Sequence, residues 1–404
     1  MNVIVFNCGS SSLKYRVIEM PSERELAGGE AQRVGPPTAE PAQIFHRING
    51  HEEIIEAPMR THGDAFNEIM KILKRSPELL PELAGHRLVH GANIFKDSAL
   101  MTAEALKQLE SISEMAPLHN PPAVSLIKAV AAQSPELPQV AVFDTAFHAS
   151  IPDYARSYPL PRKLREGMLI RKYGFHGTSH HFVAEEAAKM FGKPLSKLNA
   201  VSCHLGSGGA SLCAIVKGRS LDNTMGYSPL QGLVMSTRCG DLDPGAALRL
   251  LSRAFGKSDD VEKLLNNKSG VLGLSGKSAD IRDVFKSTPA SPQEMLRKEQ
   301  TEEVYLWRIR KYLGAYLAAV PNPDAVIFTD TIGEKIPQVR WSVSAGLECF
   351  GLKIDAARNE SALQLPAEIS TRDSRVKMLV IATNEELAIA RRSYAAINAA
   401  RRKQ

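Results

Sequence analysis

Three short apolar runs punctuate the chain, each rich in β-branched residues and each followed by a polar, glycine-bearing stretch. "VIVFN" leads into "CGSSS", "AVSCHL" (Ala200–Leu205) leads into "GSGG", and "AVIF" (Ala325 to Phe328) leads into "TDTIGEK". Runs of this length bounded by glycine read as buried strands, and each is expected to end in a glycine turn. After the first two turns a second apolar-rich run follows, which predicts a β-hairpin. Two such hairpins about 200 residues apart hint at an old duplication, one copy per domain. Helical spacing of apolar residues appears between them. "SHHFVAEEAAKMFG" predicts a helix that stops at Gly192, with Pro194 beyond. "TNEELAIARRSYAAINAARRKQ" predicts a closing helix, with Thr383 and Glu386 spaced as a capping box and a basic end at Arg401 to Lys403. "QRVGPPTAEPAQ" and "FKSTPASPQE" read as surface loops. Strand and helix patterns alternate, so the fold class is α/β.

Length and composition narrow the picture. At 404 residues the chain exceeds what one core usually serves, so two domains are expected. Lys and Arg total 50 against 44 Asp and Glu, a net charge of +6 spread along the chain. With only 6% aromatic residues there is no basic, stacking face of the kind nucleic acid needs. A small anionic substrate suits this balance better. Five scattered cysteines (Cys8, Cys203, Cys213, Cys239, Cys349) form no CxxC pair and read as reduced thiols. No signal peptide or membrane-length apolar segment is recognisable, so the expectation is a cytoplasmic protein.

Candidate chemistry clusters where strands end. "GKS" at Gly256 and Gly276 lacks the glycine five residues earlier that a phosphate loop of the Walker type requires; Leu251 and Val271 stand there. "NCGSSSLK" instead offers backbone N–H groups, hydroxyls and the charge of Lys14, either as an anion cradle or as a plain polar hairpin turn. "GHRLVHG" carries His86, Arg87 and His90; "VFDTAFH" places Asp144 after a strand; "YGFHGTSHH" sets His176 between glycines; and "STRCGDLDPG" holds Arg238 in a loop. Each alone has a bland structural explanation. Two arginines with an aspartate and a histidine, all at strand ends or in glycine-rich loops, point to an anion site with a carboxylate that handles a proton or a metal. Zinc-ligand spacing and a GxSxG nucleophile elbow are both lacking.

Taken in order, "FNCGSSSLKY", "GHRLVHG", "APLHNPP", "FDTAFH", "YGFHGTSH", "HLGSGGAS", "TMGYSPLQGLVMSTRCGDLDPG" and "TNEELAIA" resemble the acetate kinase family from residue 2 to about 390. The resemblance implies a two-domain, duplicated ribonuclease H-like fold of the actin and sugar-kinase type, closing around a cleft. It places residues 1–147 and about 375–404 in one domain and 148–374 in the other. It implies direct in-line transfer of the γ-phosphoryl group of ATP to acetate, reversibly giving acetyl phosphate and ADP. Asp144, His176 and Arg238 take the catalytic positions. Arg87 binds substrate, and Val89, Leu118, Phe175 and Pro229 form the pocket for the acetate methyl. Ser10, Ser12 and Lys14 face the donor's transferring phosphates. His204, Leu205, Gly206, Ser207, Gly208, Asp280, Ile281, Arg282, Thr331, Ile332, Gly333, Glu334 and Lys335 fall on the nucleotide side. Asn7 and a glutamate of "TNEEL" match the site for Mg²⁺, with Mn²⁺ as a substitute; Glu385 is preferred because Glu386 is expected to cap the helix. A homodimer with no nucleic-acid or membrane partner completes the implied picture.

Two loops depart from the family pattern. Where HLGNGAS is usual, Ser207 replaces the asparagine and one residue is added. Where FTAGIGEN is usual, the chain has "FTDTIGEK": Asp330 replaces a small residue, Thr331 a glycine and Lys335 an asparagine. Such changes resemble a minor branch that uses pyrophosphate, so pyrophosphate is the rival donor to ATP. Propionate is a second alternative acceptor. A nucleotide-switched binding module of the actin or chaperone kind would leave Arg87, His176 and Arg238 without a purpose.

Overall fold

The computed structural model of the chain describes residues 1–36, 38, 40–117 and 119–402. It divides into two units, Met1–Ala149 with Asn384–Gln404, and Ser150–Thr383.

The first unit is built on an eight-stranded sheet of β1 (Asn2–Cys8), β2 (Ser12–Glu19), β3 (Arg24–Gln32), β4 (Gln43–Ile48), β5 (His51–Glu56), β6 (Leu83–Leu88), β7 (Ala99–Leu100) and β8 (Gln139–Phe143), in the order β5-β4-β3-β2-β1-β6-β8-β7. β1 pairs antiparallel with β2, as the hairpin pattern predicts, and parallel with β6; β6 pairs parallel with β8. Alternation along β1 divides its residues between two cores. Ile4 and Phe6 join a cluster with Leu13, Phe66 and Ile69, whereas Val3 and Val5 join one with Leu83, Val140, Ile389 and Ile397. The second cluster is completed by the closing helix, Glu385–Arg401. Each fully buried aliphatic side chain contributes about 1.5–3 kcal/mol, so covering this face accounts for much of the hold on the helix.

The second unit carries β9 (Ala200–Leu205), β10 (Ala210–Val216), β11 (Arg219–Asn223), β12 (Ala325–Thr329), β13 (Ala367–Glu368) and β14 (Lys377–Val380), ordered β11-β10-β9-β12-β14-β13. β9 and β10 form the second hairpin, and β12 lies parallel to both β9 and β14. The run β3-β2-β1-β6-β8 of the first sheet therefore recurs, with the same strand directions, as β11-β10-β9-β12-β14. Because β14 pairs with β12, the second unit runs on to Thr383 rather than ending near residue 374.

Two local expectations change. The stretch after β12 is not a glycine turn but a short helix, Asp330–Lys335, ended by the buried Arg340, which donates to the carbonyls of Gly333 and Glu334. The closing helix is capped by Asn384, whose side chain accepts from the Leu387 N–H, and not by Thr383 with Glu386. Thr383 is engaged elsewhere: its N–H donates to Glu334 and its hydroxyl bonds that of Ser179. Among the described residues, no helix is long and apolar enough to cross a membrane.

Candidate active site

In the first unit the chemistry gathers at the ends of β1, β6 and β8. The β1–β2 turn is closed by Gly9 N–H donating to the Ser12 carbonyl, and Asn7 lies opposite Lys14 in register. Ser10 and Lys14 are exposed, and Asn7 and Ser12 half-buried. Arg87 stands near the end of β6, and Asp144 is the first residue past β8. The guanidinium donates to Asp144 Oδ2 from Nη2 at 2.8 Å and from Nε at 3.2 Å, and lies 3.6 Å from Glu385 Oε2. Burial opposes the charge on Arg87, but Asp144 and Glu385 more than offset it and hold the group above its ordinary value. Since Arg87 retains 21% side-chain exposure and Asp144 only 2%, the arginine is the accessible end of the pair. Val89 is half-buried just beyond it. Leu118 lies outside the described residues. His86 proves to be core: it stacks on Phe6 and bonds Gln139 at 2.9 Å. His90 shapes its own loop, Nδ1 accepting from the Ala92 N–H.

In the second unit, His176 occupies a left-handed backbone conformation (φ 57°) immediately before the helix Gly177–Met190. Glycines on both sides suit that turn. Its Nδ1 lies 2.9 Å from Ser211 Oγ; the same hydroxyl is 2.8 Å from His180 Nε2, and His180 Nδ1 is 2.9 Å from Ser202 Oγ. Two proton assignments satisfy these contacts with neutral rings: Ser202 donates to His180, His180 to Ser211 and Ser211 to His176, or every bond runs the other way. The first of them makes His176 Nε2 an N–H donor.

That nitrogen points towards Arg238. A β-carbon built on Gly209 would lie 3.3 Å from His176 Nε2 and 3.5 Å from Arg238 Nη1, so both side chains border one small space over the glycine. Arg238 is anchored by the Pro229 carbonyl, 3.4 Å from Nη1, and among the described residues no carboxylate lies within ion-pair distance. Burial lowers its pKa, as expected of a guanidinium without an anion. Phe175 is buried, its carbonyl held by the Asn223 side chain.

Of the residues expected on the nucleotide side, those of the β9–β10 turn lie close by. The β9–β10 turn is closed by Gly206 N–H donating to the Gly209 carbonyl. Leu205 is buried at the end of β9, and Gly208 is open to space. Thr331 Oγ1 accepts from Ser207 N–H at 2.9 Å, and Asp330 Oδ2 is 3.0 Å from His204 Nε2. The His204 ring packs 4.2 Å from that of His176. Ile332 is buried and Lys335 exposed, while Glu334 is occupied structurally, accepting from the Asp330 and Thr383 N–H groups. Asp280 caps the helix Ile281–Lys286 and pairs with Arg282; that hydrogen bond is the main reason its carboxyl lies below the usual range. The sequence reading did not single out Ser202, Ser211, His180 or Gly209. The serines and His180 fall at ordinary core positions, and nothing short of the fold links them to His176.

Comparison with known proteins finds relatives over nearly the whole chain. The model of the acetokinase family matches residues 2–391. An acetate kinase of Clostridium botulinum is 44% identical over 397 residues, covering 97% of this chain and 98% of its own. The crystal structure of Porphyromonas gingivalis acetate kinase superposes with a TM-score of 0.91 at 36% identity, covering 98% of this chain and 99% of that one. A propionate kinase from Francisella tularensis gives 0.88 at 34%, with the same coverage. Matched over nearly its whole length in both sequence and fold, this chain belongs to the acetokinase family.

Proposed function

We propose that the chain is an acetate kinase, transferring the γ-phosphoryl group of ATP in line to a carboxylate oxygen of acetate, reversibly, to give acetyl phosphate and ADP. The observation that carries this reading is the desolvated Arg238, facing His176 Nε2 over Gly209 without a carboxylate of its own. A transferring phosphoryl group spreads negative charge over its equatorial oxygens, and the acceptor is itself an anion. In this reading His176 Nε2–H and Arg238 receive that charge, Arg87 holds the acceptor carboxylate, and Asp144 fixes Arg87. Removing one such donor costs about 2.7–4 kcal/mol of barrier.

The residues proposed for Mg²⁺ or Mn²⁺ fit it chemically. Asn7 offers an amide oxygen at the end of β1 and Glu385 a carboxylate at the start of the helix that packs on β1. A hard cation bound chiefly by phosphate and water needs only one or two such oxygens. When bound, it would neutralise polyphosphate charge. Support for Glu385 over Glu386 now comes from its approach to Arg87 rather than from capping. Propionate is expected as a secondary acceptor, because a small apolar pocket of the kind the family resemblance implies for the acetate methyl rejects one methylene by only about 1–3 kcal/mol. The resemblance supports a cytoplasmic homodimer, and sedimentation at micromolar concentration checks the dimer.

Acetyl-phosphate formation by Arg238→Ala tests the core of the proposal. Loss of turnover with an unchanged unfolding transition is the expected result; full activity overturns the mechanism.

A further inference from the structure

The donor-side loop already holds an anion of its own. Asp330 follows β12 in a left-handed conformation (φ 64°), which aspartate tolerates better than most residues but at some cost. It is kept there: its N–H donates to Glu334 Oε1 at 2.7 Å, and Arg340 grips the far end of the same short helix. The carboxylate reaches back across the β9–β10 turn. Oδ2 lies 3.0 Å from His204 Nε2 and only 2.4 Å from where a β-carbon on Gly206 would stand, while Oδ1 accepts from the Thr331 N–H at 2.5 Å. A carboxylate only accepts, so His204 Nε2 carries a proton. The neighbouring Thr331 hydroxyl takes up the Ser207 N–H. Three donors that a phosphate could use are thus engaged by the side chains of residues 330 and 331. Burial pushes the Asp330 carboxyl up, but hydrogen bonding and charge from His204 and donation from Thr331 outweigh it and leave it below the usual range.

We propose that Asp330 is a tethered competitor of the phosphoryl donor: its carboxylate occupies the loop at Gly206 and His204, and a bound polyphosphate must displace or repel it. The proposal rests on the donor-side assignment of residues 204–208 made above. It makes residue 330 a determinant of donor affinity, separate from the acceptor site and from the His176–Arg238 pair. The chemistry concerned is the phosphate chain shared by ATP and pyrophosphate.

Asp330→Asn tests it, because asparagine keeps the size, tolerates the left-handed backbone and removes the charge. Asp330→Gly is the second variant, relieving the backbone and removing the side chain. Titration calorimetry with ATP and, in a separate arm, with pyrophosphate reads affinity without turnover, alongside KM for donor and for acetate. Tighter binding of either donor, by roughly tenfold (1.4 kcal/mol), with the acetate KM unchanged, is the expected result; the arm that gains identifies whose phosphates reach the loop. Unchanged binding of both donors overturns the proposal. A higher donor KM with lower kcat also overturns it, since Asp330 would then be orienting His204 productively. Arg282→Ala reports on the donor side independently. Weaker ATP binding there, with no gain in Asp330→Asn, sinks the competitor alone; no change in either variant sinks the donor-side assignment with it.

Discussion

Replacing Gly209 with alanine adds one methyl group at the point that His176 and Arg238 both face. The new carbon would lie 3.3 Å from His176 Nε2, 3.4 Å from His176 Cε1 and 3.5 Å from Arg238 Nη1. Comfortable non-bonded separations between carbon atoms are about 3.5–4.0 Å, so the imidazole must retreat by a few tenths of an ångström. A misplacement of 1 Å at a reacting centre costs about a hundredfold, which makes a several-fold loss the floor. The ceiling is full exclusion of an oxygen from the His176 donor, about 10²–10³ in kcat. Between them, a fall of roughly tenfold to several-hundredfold in kcat is expected, with the acetate KM changed far less. Stability should barely move, because Gly209 does not occupy the left-handed region and the crowding is with side chains that can shift. Gly314→Ala is the matched control: it lies in the helix Pro292–Ala319 with nothing within 4 Å of the added carbon. That variant should keep full activity and gain up to about 1 kcal/mol from helix propensity. A coupled acetyl-phosphate assay and thermal unfolding of both variants decide the matter. Wild-type kcat in Gly209→Ala would refute the placement of the reacting group over this glycine.

Three further outcomes are expected. Burial holds His86 down to about 4 from an ordinary 6.5, against the hydrogen bond that its ring N–H donates to Gln139 Oε1, which raises it. Between those values the unfolded chain binds a proton the folded ring refuses, so stability falls as pH drops from 6.5 to 4, by up to about 1.4 kcal/mol per unit from this residue. Urea unfolding at several pH values should show a shallower slope for His86→Gln; parallel slopes would contradict the reading. Arg87→Ala should abolish activity and also lower stability by about 3 kcal/mol, because it strips the guanidinium from a carboxylate that is 2% exposed; an unchanged denaturation midpoint would count against it. Asn384→Ala should cost about 1 kcal/mol through the lost cap on the closing helix, read by thermal unfolding.

Both hairpins and all three apolar strands were legible in the sequence because buried strands, β-branched residues and glycine turns are local signals. Arg87, Asp144, His176 and Arg238 stood out in the sequence too, through motifs and their order. Three things were not. The helix at Asp330–Lys335 was hidden because "TDTIGEK" looks like a turn, and Arg340, which ends that helix, comes five residues later with no local mark. Thr383 and Glu386 have capping-box spacing, yet Asn384 caps the helix because Thr383 is drawn off by Ser179 and Glu334, far away in sequence. The Ser202–His180–Ser211–His176 relay depends on a helix and two strands meeting side by side, which periodicity does not encode.

The closing helix bears on how the chain is made. One face of the first sheet, with Val3, Val5, Leu83, Val140 and Val142, is covered by Ile389, Ala390 and Ile397. The strands that present this face are all complete by residue 143, and the residues that cover it follow the whole second unit. During synthesis the second unit, Ser150–Thr383, is therefore finished first, while the earlier sheet waits with an apolar face exposed. A ribosome-bound chain stopped before residue 384 should bind dyes that report apolar surface, and should recruit chaperones until the final helix emerges.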